Sequence, residues 1–169
     1  MKVDKDALAF IRRLQKSVPV NIEAIAAVLG LTVWESSRLP EGIAGKLKRD
    51  IENGGPSQFS IIVRAQDPLV RKRFTVAHEL AHYLLHRHLF TDELVDDALY
   101  RSTLKTSVEA EANSFAADLL MPRHLLEQYP GKSIQELAFL FKVSEQAMGI
   151  RLDTLPIQLK SMSNEPLSV

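Results

Sequence analysis

The stretch Arg73-Phe-Thr-Val-Ala-His-Glu-Leu-Ala-His-Tyr-Leu-Leu-His86 decides how this chain is read. Val76, Ala77, Leu80, Ala81, Leu84 and Leu85 recur at helical spacing, and His78 and His82 stand four residues apart on one face, with Cβ atoms about 5–6 Å from each other. Both imidazoles can reach one metal ion, while Glu79, about 100° around the helix, points beside it. The bland alternative is a pair of interior histidines with a chance Glu between them. With five His and twelve Glu in 169 residues, such a match arises about 0.01 times per chain, so the pattern is specific.

Zinc that catalyses hydrolysis needs a third protein ligand and an open position for water. The chain has no Cys, which leaves His86, His88, His124 and the carboxylates. Between His78 and His86 the helix turns about 80° past its starting direction, so three His from one helix converge poorly. His86 and His88 read instead as last-turn cations that complement the helix dipole. A carboxylate is the better candidate, from Glu109-Ala-Glu-Ala-Asn113-Ser-Phe-Ala-Ala-Asp-Leu-Leu-Met-Pro122. A helix that serves another must approach it closely, and Ala112, Asn113, Ala116 and Ala117 share the face of Glu109, whereas Glu111 shares its face with Ser114, Phe115 and Asp118. Glu109 is the expected ligand, with Asn113 one turn on to orient a liganding His. A Thr106–Glu109 capping box would hand the role to Glu111.

Around this pair the chain divides by its periodicities. Apolar residues from Asp4 to Val18 mark an amphipathic helix that Pro19 ends, and a second helix runs from the cap Asn21 to Gly30. Leu31–Trp34, Ala44–Arg49 and Phe59–Val63 read as three strands of a small antiparallel sheet. Asp67-Pro68 opens the long helix, with Asp as cap and Pro at the first helical position. Residues 91–106 read as a polar surface loop and Ser107–Leu120 as an Ala-rich helix. Ser133-Ile-Gln-Glu136 is a capping box, and a turn at Lys142-Val-Ser144 gives helix-turn-helix spacing. The second helix of that pair, with Glu145, Gln146, Arg151 and Asp153, is too acidic for a major-groove reader. Direct DNA binding is not expected. Arg71-Lys72-Arg73, the one concentrated basic run, reads as a solvated face.

Composition narrows the function further. The 21 Lys plus Arg balance 21 Asp plus Glu, which removes the long-range field that drives non-specific phosphate binding. Zero Cys excludes disulfides, thiol catalysis and iron-sulfur clusters. At 169 residues a core forms without structural metal, so a metal here is expected to do chemistry. No apolar run approaches a signal peptide or membrane span, and a soluble cytoplasmic protein is expected.

The run from Arg73 to His86, followed by Glu-x-x-Ala-Asn-x-Phe-Ala-Ala-x-Leu-Leu-Met-Pro from Glu109 to Pro122, resembles the ImmA/IrrE family of bacterial and phage zinc metallopeptidases. The resemblance extends upstream to the helix from Pro19 to Gly30 and to Gly42–Val63, and downstream to Val143–Leu152. It implies a gluzincin-like site in which His78, His82 and Glu109 hold zinc and Glu79 is the general base, and it implies a protein substrate, typically a helix-turn-helix repressor encoded nearby. An oxyanion donor is also required, from His124, Tyr83 or Arg151.

The expected molecule is therefore an α+β protein. A zincin-like metallopeptidase domain spans 1–130, a helical pair packed on it spans 131–156, and a flexible tail spans 157–169. It is expected to be a zinc metallo-endopeptidase. The rival is a non-catalytic metal-binding regulator that acts by binding a partner protein or DNA, as in a toxin-antitoxin-like pair. An intact Glu79 argues against that rival, because holding zinc does not require it.

Overall fold

Three strands form the sheet in a computed structural model that describes residues 5–89 and 105–155. They are β1 (Thr32–Ser36), β2 (Gly45–Arg49) and β3 (Phe59–Arg64), in the order β1-β3-β2. β2 and β3 pair antiparallel across the turn that contains Asn53-Gly-Gly-Pro56, with Leu47 opposite Ile61. β1 pairs parallel to β3, with Thr32 opposite Ser60. The sheet is thus mixed rather than wholly antiparallel. After β1 the chain crosses to the far edge to form β2, and the return hairpin then inserts β3 between the two. Alternation sends Leu47, Ile61 and Val63 inward, as a sheet with one covered face requires. Ser60 is buried on the opposite face, where Thr32 Oγ1 at 2.8 Å and Asp50 Oδ2 at 3.3 Å satisfy its hydroxyl.

Seven α-helices accompany the sheet among the described residues. α1 is Lys5–Leu14 and α2 is Ile22–Val28, capped by the Asn21 side chain on Ala24 N at 3.0 Å. α1 ends four residues earlier than its periodicity suggests. The buried Gln15 side chain turns inward there to donate to the carbonyls of Asp118 and Leu119 at 3.0 and 2.9 Å. Gly30 closes α2 at φ +83°, where an added Cβ would meet the Ser57 amide.

α3 (Leu69–His86) is the long helix, extended by a 3₁₀ turn over Arg87–Leu89. Its cap differs from the sequence reading: Pro68 occupies the N-cap, and Asp67 forms an ion pair with Arg71 at 3.4 Å instead of capping. α4 (Lys105–Leu120), α5 (Arg123–Leu126), α6 (Ile134–Phe141) and α7 (Glu145–Thr154) follow. The Ser133–Glu136 capping box is formed in both directions, and Ser144 caps α7. The expected loop over 91–106 lies outside the described residues except for Lys105 and Thr106, which open α4. The expected tail lies outside them as well.

α3 packs on β2, β3, α2 and, most extensively, α4. Ala77 and Ala81 of α3 and Ala112 and Ala116 of α4 are all fully buried. Leu80 joins the same core as Ile25, Ile61, Leu120, Phe141 and Met148, so helices from both ends of the chain share one interior. β2 also lies close to α3: a Cβ on Gly45 would overlap Thr75 Cγ2.

The basic run is not a uniformly solvated face. Arg71 pairs with Asp67, and Lys72 reaches Glu35 Oε2 at 2.8 Å. Arg73, however, is buried and donates to Val20 O at 2.8 Å and Lys142 O at 3.3 Å. It thereby ties the entry to α2 and the turn between α6 and α7 to the long helix. Arg73→Met keeps much of the apolar stem but leaves two carbonyls without their charged donor. It is expected to destabilise the protein by about 2–4 kcal/mol, read as a lower urea midpoint at unchanged slope.

Candidate metal centre

One turn of α3 carries His78 and His82, and the close approach of α4 brings a carboxylate to both. His78 Nε2 and His82 Nε2 are 3.0 Å apart. Glu109 Oε2 lies 3.2 Å from the first and Glu109 Oε1 lies 3.4 Å from the second. The donor atoms of these three residues form the one His/Asp/Glu group among the described residues that could hold a metal ion. Glu111 does not join it. Two residues further along α4, it points to another side of the helix and meets His86 Nε2 at 3.3 Å. The side chain of Thr106 lies outside the described residues, so the capping-box alternative does too.

The outer nitrogens of both imidazoles are engaged. Asn113, one turn beyond Glu109, has Oδ1 3.0 Å from His78 Nδ1. His82 Nδ1 is 3.1 Å from His86 Nδ1. His86 therefore does not stand at the helix end as a solvated cation. It is 4% exposed although it is the last residue of α3, because α4 brings Glu111 against it. Burial pushes its pKa down and the neighbouring His82 adds to the fall, against the opposing pull of Glu111. The i, i+4 spacing from His82 was the signal in the sequence, since it sets His86 on the far side of His82 from His78. His88 is exposed, as a last-turn cation would be.

Electrostatics couple the three donors. Burial works against a charge on His78, but the hydrogen bond to Glu109 and the charges of Glu79 and Glu109 outweigh it and raise the pKa. The Glu109 carboxyl is held far below the usual carboxylate range, first by its bond to His78 and then by that to His82. Glu79 follows His78 on α3 and is buried at 9% exposure. Phe74, one turn before His78, lies over its ring at a centroid distance of 6.5 Å.

The three candidate oxyanion donors are all occupied elsewhere. Tyr83 packs edge-on against Phe59 at 5.3 Å and its hydroxyl accepts from Arg87. Arg151 is buried, donates to Met121 O at 3.0 Å and pairs with Asp118. His124 Nε2 bonds the carbonyl of Gln15 at 3.0 Å. Next to the site lies a groove of about 660 Å³ between α3, α4 and α7, with Phe74, Asn113, Ala117, Ala147 and Ile150 in its walls. Asn113 belongs to both the groove and the donor cluster.

The chain is similar to known proteins in sequence and in fold. Residues 39–153 match a peptidase family model described as the IrrE N-terminal-like domain. Over 107 residues the chain is 29% identical to Metallopeptidase ImmA of Bacillus subtilis, in an alignment covering 61% of this chain and 59% of that protein. In fold it is similar to a Mycobacterium tuberculosis transcriptional regulator, with a TM-score of 0.62 over 92% of this chain and 48% of the other, at 18% identity. The chain thus spans less than two thirds of either relative.

The coupled pair fixes how metal-free stability and metal affinity vary with pH. The depressed Glu109 pKa contributes stability that is present above its unfolded value of 4.5 and lost as pH falls through the folded value. The raised His78 pKa contributes stability that is present below 6.5 and lost as pH rises through the folded value. The metal-free protein is expected to gain most from the pair between about pH 4.5 and 6.5. A metal at His78 must displace that proton, so its apparent affinity is expected to climb as pH rises through the raised His78 pKa. Competition titrations with a chelator across this range test the point, and a flat profile would count against it.

Proposed function

Because the chain belongs to the IrrE N-terminal-like peptidase family, we propose that it is a zinc-dependent endopeptidase that cleaves a regulatory protein, a helix-turn-helix repressor encoded nearby. The observation that carries this reading is the donor triad with Glu79 beside it. A tetrahedral zinc with bonds of about 2.0–2.2 Å sets its ligands roughly 3.3–3.5 Å apart. Here the two imidazole nitrogens are 3.0 Å apart, and the two carboxylate oxygens of Glu109 lie 3.2 Å from the one and 3.4 Å from the other. Two imidazoles and one carboxylate are also a donor set that suits catalytic zinc and leaves one position open.

His78, His82 and Glu109 would hold the ion. When bound, zinc supplies Lewis acidity that acidifies water and polarises a peptide carbonyl. The work of the chain is to position and to move protons. Asn113 and His86 fix the two rings, and Glu79 accepts the proton of the attacking water and returns it to the departing amine. Phe74 shields one side of His78 and the adjoining groove gives a polypeptide apolar walls to lie against. Within this reading, residues 1–130 form the catalytic unit, 131–156 the helical pair whose α7 walls the groove, and 157–169 an appended tail.

A repressor substrate places the reaction in the cytoplasm; no described helix is long and apolar enough to cross a membrane. Contact with DNA is not part of the proposal, since the buried Arg151 cannot read a groove. The decisive measurement incubates the zinc-loaded protein and Glu79→Gln with the neighbouring repressor and follows intact mass. Cleavage by the first, with a rate about 10²–10⁴-fold lower in the second, supports the reading. A stable complex without cleavage by either would replace it with a binding regulator.

Metal removal gives a second test. Glu109→Ala is expected to lose stoichiometric zinc, whereas Glu111→Ala is expected to retain one ion per chain. The reverse result would move the third ligand to Glu111. A ligand present at about 100 times its Kd stabilises a fold by about 2.7 kcal/mol, so the thermal shift with zinc should vanish in Glu109→Ala.

A further inference from the structure

His82 offers its two ring nitrogens to different surroundings. Nε2 faces His78 and Glu109, while Nδ1 faces His86 Nδ1 at 3.1 Å, and His86 Nε2 in turn faces Glu111 Oε2 at 3.3 Å. Two imidazole nitrogens at that distance hydrogen-bond only when one carries a proton and the other a lone pair. If Nε2 of His82 gives its lone pair to a metal, the proton of the neutral ring sits on Nδ1, and His82 is the donor. His86 Nδ1 must then accept. The proton of His86 is left on Nε2, where the Glu111 carboxylate can take it as a hydrogen bond. The opposite allocation, with hydrogens on both Nδ1 atoms, would set two donors against each other.

We propose that His86 and Glu111 are positioning residues that hold His82 in its Nδ1–H tautomer, with Nε2 turned to the metal, through a hydrogen-bonded chain ordered His82 to His86 to Glu111. The inference rests on the reading of His82 as a zinc ligand. The chain is the counterpart of Asn113, whose Oδ1 serves the same purpose for His78. The two rings are thus oriented by different means, one by an amide oxygen and the other by an imidazole backed by a carboxylate. Such a backing carboxylate also increases the electron density that the liganding nitrogen can offer.

A merely structural His86 would fill space beneath α4, and Glu111, whose side chain is 66% exposed, would do nothing for the metal. The test measures zinc dissociation constants by chelator competition for the full chain and for Glu111→Ala, Glu111→Gln and His86→Phe. Imidazole nitrogen chemical shifts are recorded on the zinc-loaded wild type, and unfolding midpoints on the metal-free proteins. Zinc affinity is expected to fall by about 10-fold in Glu111→Ala and by roughly 10–100-fold in His86→Phe. Glu111→Gln, whose amide oxygen still accepts, should lie between Glu111→Ala and the wild type. Because Glu111 is exposed, the metal-free midpoint of Glu111→Ala should stay at the wild-type value, so its loss of affinity is not a loss of folding. The nitrogen shifts should place the proton on Nε2 of His86 and on Nδ1 of His82. Wild-type affinity in both Glu111→Ala and His86→Phe, or a proton on Nδ1 of His86, would overturn the inference while leaving the zinc site standing. Wild-type protein that takes up no zinc, or takes it up without His82, would bring down the zinc reading and this inference with it.

Discussion

Everything at the candidate metal centre depends on how closely two helices approach. The carboxylate of Glu109 reaches both imidazoles because α3 and α4 meet through Ala77, Ala81, Ala112 and Ala116, all fully buried. A methyl group is the largest side chain those four positions present. Larger residues would force the helices apart or drive side chains off their preferred rotamers, at a cost of about 1–3 kcal/mol in a packed interior, and would carry Glu109 out of reach. The rest of the fold supplies support for this contact. The sheet covers one side of α3 through Ile61 and Val63, the N-terminal helices cover another, and Arg73 ties α3 to Val20 and Lys142.

A group of donors this close has to be neutralised, and the charges of the cluster show how. Without a metal, Glu109 and His78 behave as a partly buried ion pair: the carboxyl pKa is depressed by the imidazoles and the imidazole pKa is raised by the carboxylates. Each partner offsets part of the desolvation penalty of the other, which an isolated buried charge would carry alone. In the zinc reading a divalent cation would take over the role of the proton. The side chains that would hold it already face one another without it, which is the meaning of a preorganised site. Glu79 stands outside the triad, one residue from His78, and its charge adds to the field that raises the His78 pKa.

Much of this was legible in the sequence where the determinant is local. His-Glu-x-x-His on a helix, the Asn21 cap, the Ser133–Glu136 box and the alanine face around Glu109 are all patterns within two turns of chain, and the structure places them as read. What escaped the sequence depends on partners far away along the chain. Periodicity identifies β1 as a strand but carries no record that its neighbour is β3 in parallel register. Gln15 looks like one more helical residue until the C-terminal end of α4, more than a hundred residues later, offers it two carbonyls. Arg73 looks like the third member of a charged run, yet it is the one whose guanidinium finds buried backbone acceptors. His86 was read as a terminal cation because its burial is set by α4.

The C-terminal pair shows why shape alone is a poor guide to function. α6 and α7 have the spacing of a DNA-binding helix pair, but the one basic residue of α7 faces inward. Arg151, which would otherwise be the cation of the second helix, is buried against Met121 O and Asp118. The carbonyl at the turn accepts from Arg73. Phe141 and Met148 are fully buried in the shared core, so the pair is held by the same interior that fixes α3. Beside the exposed Glu145, Gln146 and Asp153, α7 presents an apolar residue: Ile150 is 58% exposed, and with Ala147 and Phe74 it lines the groove. A surface of this kind suits contact with a polypeptide better than with phosphates, which call for cations at the surface. The helical pair is therefore best understood through the groove it helps to build beside His78.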